Sequence, residues 1–272
     1  MVKVDLYCED CVDRMKKMVE EGITVDLTVT SPPYDDLRTY KGTNNDWNFE
    51  KFKEVADLLW QVTADGGAVV WVVGDATIKG SETLSSFQQA IYFKQLGFNV
   101  ETMIWDKGSF AFPSKNLYHQ VFEYMFVLQK GKLKATNFII DRKNAYVGAL
   151  GGTSGRNKDG VRNTGRDHVV RGEYGKRFNI WRYPIGGGHS SEDKEAYEHP
   201  AIFPEDLAKD HIISWSNEGD TIFDPFMGSG TTGKMAVLIG RNFIGVERVP
   251  EYYEISKNRI EKYNKGNDIH VG

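Results

Sequence analysis

Cysteine is almost missing from this 272-residue chain, which has only Cys8 and Cys11. A lone CxxC argues against a zinc site, which wants two more ligands at suitable spacing, and against a redox motif, which wants a thioredoxin-like strand-to-helix setting. No metal site is therefore expected, and the two cysteines read as small residues in a loop after a first strand. Long apolar runs are missing as well. No stretch reaches the roughly 18 residues of a membrane-spanning helix, and Met1-Val2-Lys3-Val4-Asp5-Leu6 lacks the apolar segment and cleavage site of a signal peptide. These absences lead to the expectation of a cytoplasmic protein. Excess positive charge is the third absence: 34 Lys and Arg against 38 Asp and Glu give a net charge of −4, which by itself announces no nucleic-acid ligand.

What is present is an ordinary globular composition, 40% apolar and 26% charged, in a chain long enough for one catalytic core and an accessory piece. The average conceals an asymmetry. Between Arg142 and Arg182 there are ten basic residues against three acidic ones, a local charge of +7 that leaves −11 for the rest of a chain of net −4. Eleven glycines between Gly148 and Gly188 accompany this charge, so the segment reads as a loop-rich basic insert rather than a packed helical face.

Around the insert, strand and helix patterns alternate, the signature of βαβ units about a largely parallel sheet. Strands are predicted at Val2 to Tyr7, Asp26 to Thr30, Ala68 to Val73, Asn99 to Trp105 and Val121 to Gln129. Helices are predicted at Val12 to Glu20, at Phe49 to Thr63, where Phe52, Val55, Ala56, Leu59 and Trp60 recur at helical spacing, and at Thr83 to Leu96. Ala64-Asp65-Gly66-Gly67 reads as a turn, and Gly186-Gly187-Gly188-His189-Ser190-Ser191 as a flexible exit from the insert. Regularity then resumes with a helix opened by Pro204, a strand Thr221 to Phe223, a glycine loop, a helix Thr232 to Ile239, a strand Phe243 to Val246 and a helix Pro250 to Tyr263. The expected organisation is one α/β domain in two halves, residues 1–140 and 197–272, interrupted at 141–196.

Two motifs follow strand patterns, where an open α/β sheet builds its ligand crevice. The later one is Asp224-Pro225-Phe226-Met227-Gly228-Ser229-Gly230-Thr231-Thr232. A glycine turn between strand and helix aims backbone N–H groups at a ligand's polar end. Gly228 to Lys234 matches the phosphate-binding GxxxxGK pattern, but Met235 stands where Ser or Thr should hold magnesium, which argues against a nucleoside triphosphatase. The GxGxxG spacing of a dinucleotide oxidoreductase is imperfect too. Glu247 ends the next strand, where a carboxylate can accept hydrogen bonds from both hydroxyls of a ribose, and Asp224 can meet an ammonium. A cofactor with a ribose and an amino-acid ammonium is S-adenosylmethionine.

The earlier motif is Ser31-Pro32-Pro33-Tyr34. An exocyclic amine on a nucleobase is a poor nucleophile because its lone pair is delocalised into the ring. Acceptors for both amino hydrogens, here Ser31 Oγ and the Pro32 carbonyl, draw the nitrogen toward tetrahedral character; successive prolines remove competing donors. Tyr34 offers a face for stacking a base that has left its duplex.

At these residues the chain resembles the amino-group DNA methyltransferases of bacterial and phage modification systems, specifically their permuted β-type group. The resemblance covers nearly all of the chain apart from the insert. It rests on the order of catalytic motif, recognition region and cofactor motif, and on His199-Pro200-Ala201-Ile202-Phe203-Pro204-Glu205-Asp206-Leu207 before the cofactor loop. It implies a Rossmann-like, circularly permuted α/β fold with a mostly parallel sheet flanked by helices, and a site-specific DNA methyltransferase acting by direct in-line transfer. In the cofactor loop Asp224, Pro225, Phe226, Gly228, Ser229, Gly230, Thr231 and Thr232 would hold the methionine part, and Glu247 the ribose. Asp10 and Cys11 stand where similar proteins meet the adenine, and His199 and Phe203 would help close that pocket. Family members with Ser at the first position of the tetrapeptide more often methylate cytosine N4, those with Asp or Asn adenine N6, so cytosine is preferred here. The insert would be the target-recognition region, with Arg156, Arg162, Arg166 and Arg171 as DNA contacts and Asn157, Asn163 and His168 as lesser ones. Double-stranded DNA is the implied partner, with a cognate restriction endonuclease and a second copy of the chain as further ones. The competing expectations are methylation of RNA or of a protein amide on the same fold, and a DNA-binding module without catalysis.

Overall fold

The structure, a computed structural model, describes residues 2–33, 47–110, 116–150, 158–161, 169–186, 188–199, 202, 204–264 and 269–271. In chain order the elements are β1 (Val4–Tyr7), α1 (Cys11–Glu20), β2 (Val25–Thr30), α2 (Phe49–Val62), β3 (Thr63–Val73), β4 (Thr77–Ile78), β5 (Ser81–Glu82), α3 (Ser85–Leu96), β6 (Asn99–Asp106) and β7 (Phe122–Gln129). There follow β8 (Arg142–Lys143), β9 (Gly148–Leu150), β10 (Val169–Arg171), β11 (Tyr174–Gly175), β12 (Ile180–Arg182) and a 3-10 turn, Lys194–Glu198. The chain ends with α4 (Glu205–Trp215), β13 (Thr221–Asp224), α5 (Thr231–Leu238), β14 (Asn242–Val246), α6 (Pro250–Tyr263) and β15 (Ile269–Val271).

Nine strands form one sheet in the order β12-β6-β7-β3-β2-β13-β14-β1-β15. Every neighbouring pair is parallel except β3 with β7 and β6 with β7, so β7 alone runs against the rest. Central strands covered on both faces must be apolar throughout, and Ala68 to Val73 of β3 are all buried. On one face α1 and α2 pack Met15, Met18, Phe52, Val55 and Leu59 into a core shared with Trp71, Phe93 and Phe223. Phe52, Trp71 and Phe93 meet edge to face with centroids 5.2 to 5.9 Å apart, a geometry that aligns ring edges with ring faces.

Caps fix where the helices begin. The Asp10 side chain accepts from Val12 N at 2.9 Å to start α1, and Asn48 accepts from Lys51 N at 3.0 Å to start α2. Gly97 ends α3 at φ +115°, and a Cβ there would lie 3.0 Å from the Trp60 indole.

Three expectations are corrected. Ala64 to Gly67 is not a free turn but the first stretch of β3, kinked at Gly66 (φ +79°), whose N–H donates to Lys130 O at 2.7 Å. The register between β2 and β3 shifts at this point, which is how an extended strand absorbs the glycine pair. The basic insert does not run to 196. The larger compact unit comprises Met1–Asn137 and Asn179–Gly272, the smaller one Phe138–Phe178, and β12 pairs with β6 as the ninth strand of the sheet. Nor are Ser190 and Ser191 part of a flexible exit: both are buried, and Ser191 Oγ donates to Glu205 Oε1 at 2.5 Å.

The smaller unit is held by two short antiparallel pairs, β8 with β11 and β9 with β10. Arg177 forms an ion pair with Asp141, and Lys176 Nζ sits 3.0 Å from the centre of the Phe138 ring. Phe138, Ile140, Tyr146, Val170 and Phe178 are exposed, and cation–π and ionic contacts add to the strand pairing.

Candidate active site

Four strands that are neighbours in the sheet, β2, β13, β14 and β1, end side by side, and a candidate segment follows each. Ser31 follows β2, Asp224 closes β13, Glu247 follows β14, and Asp10 lies just past β1. Backbone hydrogen bonds extend the alignment beyond the strands: Met227 N donates to Val246 O at 2.9 Å, and Glu247 N to Tyr7 O at 3.1 Å.

Asp224 is the buried centre of this row. Its Oδ1 accepts from Thr30 Oγ1 at 2.6 Å and from Phe226 N at 3.1 Å. The first of these bonds joins the residue preceding Ser31 to the first residue of the glycine motif. Burial pushes the Asp224 carboxyl up to about 7, with Thr30 and Phe226 pulling the other way and Glu247 adding to the rise. Such a site favours a cation, because an incoming positive charge restores the ionised carboxylate.

Glu247 is similarly enclosed. Oε2 accepts from Gly228 N and Oε1 from Val249 N, each at 2.9 Å, which fixes the carboxylate and leaves each oxygen a further lone pair. Burial raises its pKa while those backbone donors oppose the rise.

Between these acids runs the glycine loop. Gly228 has φ +51°, and a Cβ on it would come within 3.1 Å of the His199 ring; Gly230 has φ +79°, and its Cβ would meet Ser256 at 2.9 Å. Both positions require glycine on conformation and on space. His199 in turn packs against Tyr252, centroids 4.4 Å apart. Thr232 Oγ1 donates to Val29 O at 3.1 Å, tying α5 to β2. Thr231 Oγ1 is buried without a hydrogen-bond partner among the described residues. An orphaned hydroxyl at the end of a loop that two buried carboxylates hold through Phe226 N and Gly228 N fits a polar, cationic ligand there. Phe226 meets Trp47 and Trp71 edge to face at 5.3 and 6.3 Å.

At the first motif Ser31 and Pro33 are half-buried and Pro32 is buried. Asp10 spends one carboxylate oxygen on its helix cap, with Lys51 Nζ 3.5 Å from that oxygen; Cys11 is buried at the start of α1, and burial raises its thiol pKa. The exposed Cys8 and the buried Cys11 stay free, and no metal-binding cluster occurs among the described residues. Tyr34, Phe203, Arg156, Arg162 and Arg166, with the lesser candidates Asn157, Asn163 and His168, lie outside the described residues. Arg171 is described and exposed.

A family model described as DNA methylase matches residues 25–258. The chain belongs to the DNA methylase family. This methylase is 56% identical over 243 residues to the orphan methyltransferase M.BamHII of Bacillus amyloliquefaciens, covering 88% of this chain and 90% of that one. It is 28% identical over 253 residues to the DNA adenine methyltransferase YhdJ of Escherichia coli (strain K12), covering 93% and 81%. Among solved structures, the cytosine-N4-specific PvuII DNA methyltransferase superposes with a TM-score of 0.66 at 18% identity over 98% of this chain and 94% of that one. At that identity the likeness establishes the fold.

Several residues of the methylase's site were not singled out by sequence. Thr30 carried a signal, since it is the polar residue that ends β2 directly before Ser31. Tyr252, Trp47 and Arg259 carried none, because each reaches the loop from a distant element. Lys234, the lysine of the GxxxxGK pattern, is engaged elsewhere. It does not point at a phosphate: its Nζ lies 2.8 Å from both Asp193 Oδ2 and Glu205 Oε1 in a buried ion cluster.

Proposed function

We propose that this methylase transfers a methyl group from S-adenosylmethionine to the exocyclic amine of a base turned out of double-stranded DNA, with cytosine N4 the preferred acceptor. The observation that carries the reading is the contact between the two motifs, Thr30 Oγ1 to Asp224 Oδ1 at 2.6 Å, at the mouths of adjacent strands. Asp224 would hold the cofactor's ammonium, Thr231 its polar methionine end and Glu247 the ribose, with Asp10 toward the adenine. When bound, the cofactor supplies an electrophilic methyl group on a sulfonium.

The chain's own residues prepare the acceptor. Ser31 Oγ and the Pro32 carbonyl accept the two amino hydrogens and aim the nitrogen lone pair across the crevice toward the glycine loop. Pro32 and Pro33 lack N–H groups that would otherwise compete for those acceptors. Once the nitrogen has gained a methyl it sheds one proton, and no residue forms a covalent bond to the base. Recognition of the surrounding sequence would belong to the basic residues of the compact unit Phe138–Phe178, with Arg156, Arg162, Arg166 and Arg171 as its DNA contacts.

The test is transfer of labelled methyl from S-adenosylmethionine to unmodified DNA of diverse sequence, followed by digestion and separation of the nucleosides. N4-methylcytosine is the expected product. Label in N6-methyladenine would give the substrate to the second reading, which the 28% identity with an adenine enzyme favours. No label in DNA, with cofactor binding confirmed, sinks both. A second copy and a cognate restriction endonuclease are the further partners of this reading. Neither is needed for the chemistry, and sedimentation velocity of the purified chain tests the first.

A further inference from the structure

A buried cluster of charges meets the glycine loop through Arg259. The side chains of Asp193, Lys234 and Arg259 are 2%, 3% and 2% exposed, and that of Glu205 13%. Lys234 Nζ lies 2.8 Å from Asp193 Oδ2 and from Glu205 Oε1; Arg259 places Nε 3.3 Å from Asp193 Oδ2 and Nη2 2.9 Å from Glu205 Oε1. Lys262 Nζ and Tyr263 OH reach the other oxygen of Asp193, each at 2.8 Å. All the groups are paired, yet pairing seldom repays the desolvation of buried charges, and apolar residues of similar volume commonly do as well for stability. The value of such a cluster lies in what it holds in register.

Its connections reach α4 through Glu205 and three further elements that meet the loop. Arg259 Nη1 donates to the carbonyl of Ser229, inside the loop. Ser256, one turn earlier on α6, is the residue a Cβ at Gly230 would strike at 2.9 Å, so α6 supports the loop from beneath. Lys234 lies on α5, one turn past Gly230, whose carbonyl accepts from Lys234 N at 2.9 Å. Asp193 immediately precedes the 3-10 turn Lys194–Glu198, its backbone carbonyl accepting from Ala196 N at 3.3 Å, and that turn delivers His199 over Gly228. A single carboxylate thus fastens α5, α6 and the His199 segment together.

We infer that Asp193, Lys234, Glu205 and Arg259 form a positioning network that sets cofactor affinity, by holding the Ser229 carbonyl and the His199 cover in one arrangement. The inference rests on the reading that the glycine loop takes S-adenosylmethionine. The network touches neither the base nor the reacting atoms, so it governs the KM for cofactor and not the rate at saturation.

The test compares Arg259→Lys and Asp193→Asn with the wild-type enzyme and with Lys16→Gln, a surface control on α1. Both network variants are expected to raise the KM for S-adenosylmethionine on the order of tenfold, the scale of a slightly misplaced binding group, with kcat and DNA affinity within about twofold of wild type. Lys16→Gln should change none of these. Folded variants with an unchanged KM, or with kcat reduced at unchanged KM, overturn the inference. If Arg259→Lys does not fold, Asp193→Asn decides alone; if neither folds, the network is structural and the inference fails. Wild-type protein that binds no S-adenosylmethionine in calorimetry instead refutes the reading of the loop.

Discussion

If Asp224 holds the cofactor's ammonium, as proposed, its carboxyl makes cofactor binding titrate in the physiological range. Burial holds it near pH 7, and an ammonium ligand needs it ionised. Affinity for S-adenosylmethionine is therefore expected to be full above pH 7 and to weaken, toward about tenfold per unit, as pH falls below it. Stability of the free protein runs the opposite way. An acid whose folded pKa is raised keeps its proton in the native state, so its contribution is largest below the unfolded value of 3.8 and is lost as pH rises to about 7. Calorimetric titrations and melts from pH 5 to 8 check both signs, and Asp224→Asn should abolish both trends while weakening cofactor binding about 100-fold, as expected for a cation left without its buried partner. Ser31→Ala divides differently: kcat should fall by about 10² or more, as when one polarising contact is removed, with cofactor affinity unchanged. A cofactor Kd that moves in parallel with kcat would mean that Ser31 does not act on the base alone. Asp224, Glu247 and Ser31 could all be singled out from sequence because each stands in or beside a local motif after a strand pattern. His199 is legible through the His-Pro segment that carries the resemblance, whereas Thr30 and Arg259 under Ser229 act through contacts between residues far apart in the chain, which motif spacing does not encode.

Most elements show in the sequence for a physical reason: each central strand and each amphipathic helix carries its own burial pattern. Phe52, Val55, Ala56 and Leu59 recur at the spacing that puts them on one face of α2, and all four are buried. The failures fall where an element depends on a partner. β12 has three residues and no pattern of its own; it is a strand because β6 offers it a parallel edge. Ala64 to Gly67 has turn composition but is drawn into β3 by pairing with its neighbours. Ser190 and Ser191 have linker composition but are anchored by Glu205 and Arg259. The glycine loop, by contrast, announced itself because its geometry admits so few residues. Gly228→Ala should show this: a left-handed conformation costs about 1–2 kcal/mol for an L-residue, and the added methyl group also presses on the His199 ring. A fall in thermal midpoint together with weaker cofactor binding is expected, and a variant melting at the wild-type temperature would contradict the assigned loop geometry.

On the scale of the whole molecule, two distributions of charge matter more than the net value of −4. The first is internal. His211 is fully buried beneath the sheet, 3.2 Å from Met125 Sδ and 4.6 Å from the Trp181 ring centre, and burial pushes its pKa down to about 3. A depressed folded pKa gives stability that is full above the unfolded value of 6.5 and is lost as pH falls toward 3, so the urea midpoint should drop across that range and His211→Leu should flatten the drop. The second distribution is external. A chain carrying −11 outside its basic segment would be repelled by DNA if charge acted only in bulk. On the proposed reading, binding is concentrated in the segment of charge +7, and each phosphate it neutralises steepens the fall of log K with log salt by about 0.9. Arg171, exposed on β10, is a described residue there that can be tested singly. If it contacts a phosphate, Arg171→Ala should lower that slope by about 1 and weaken all DNA sequences alike; if it reads a base edge, the loss should fall on the preferred sequence. Fluorescence anisotropy over a salt series, with preferred and unrelated duplexes, separates the two outcomes. Identical slopes and affinities for wild type and variant would exclude Arg171 from the DNA interface and place the neutralising charge on the other arginines of the segment.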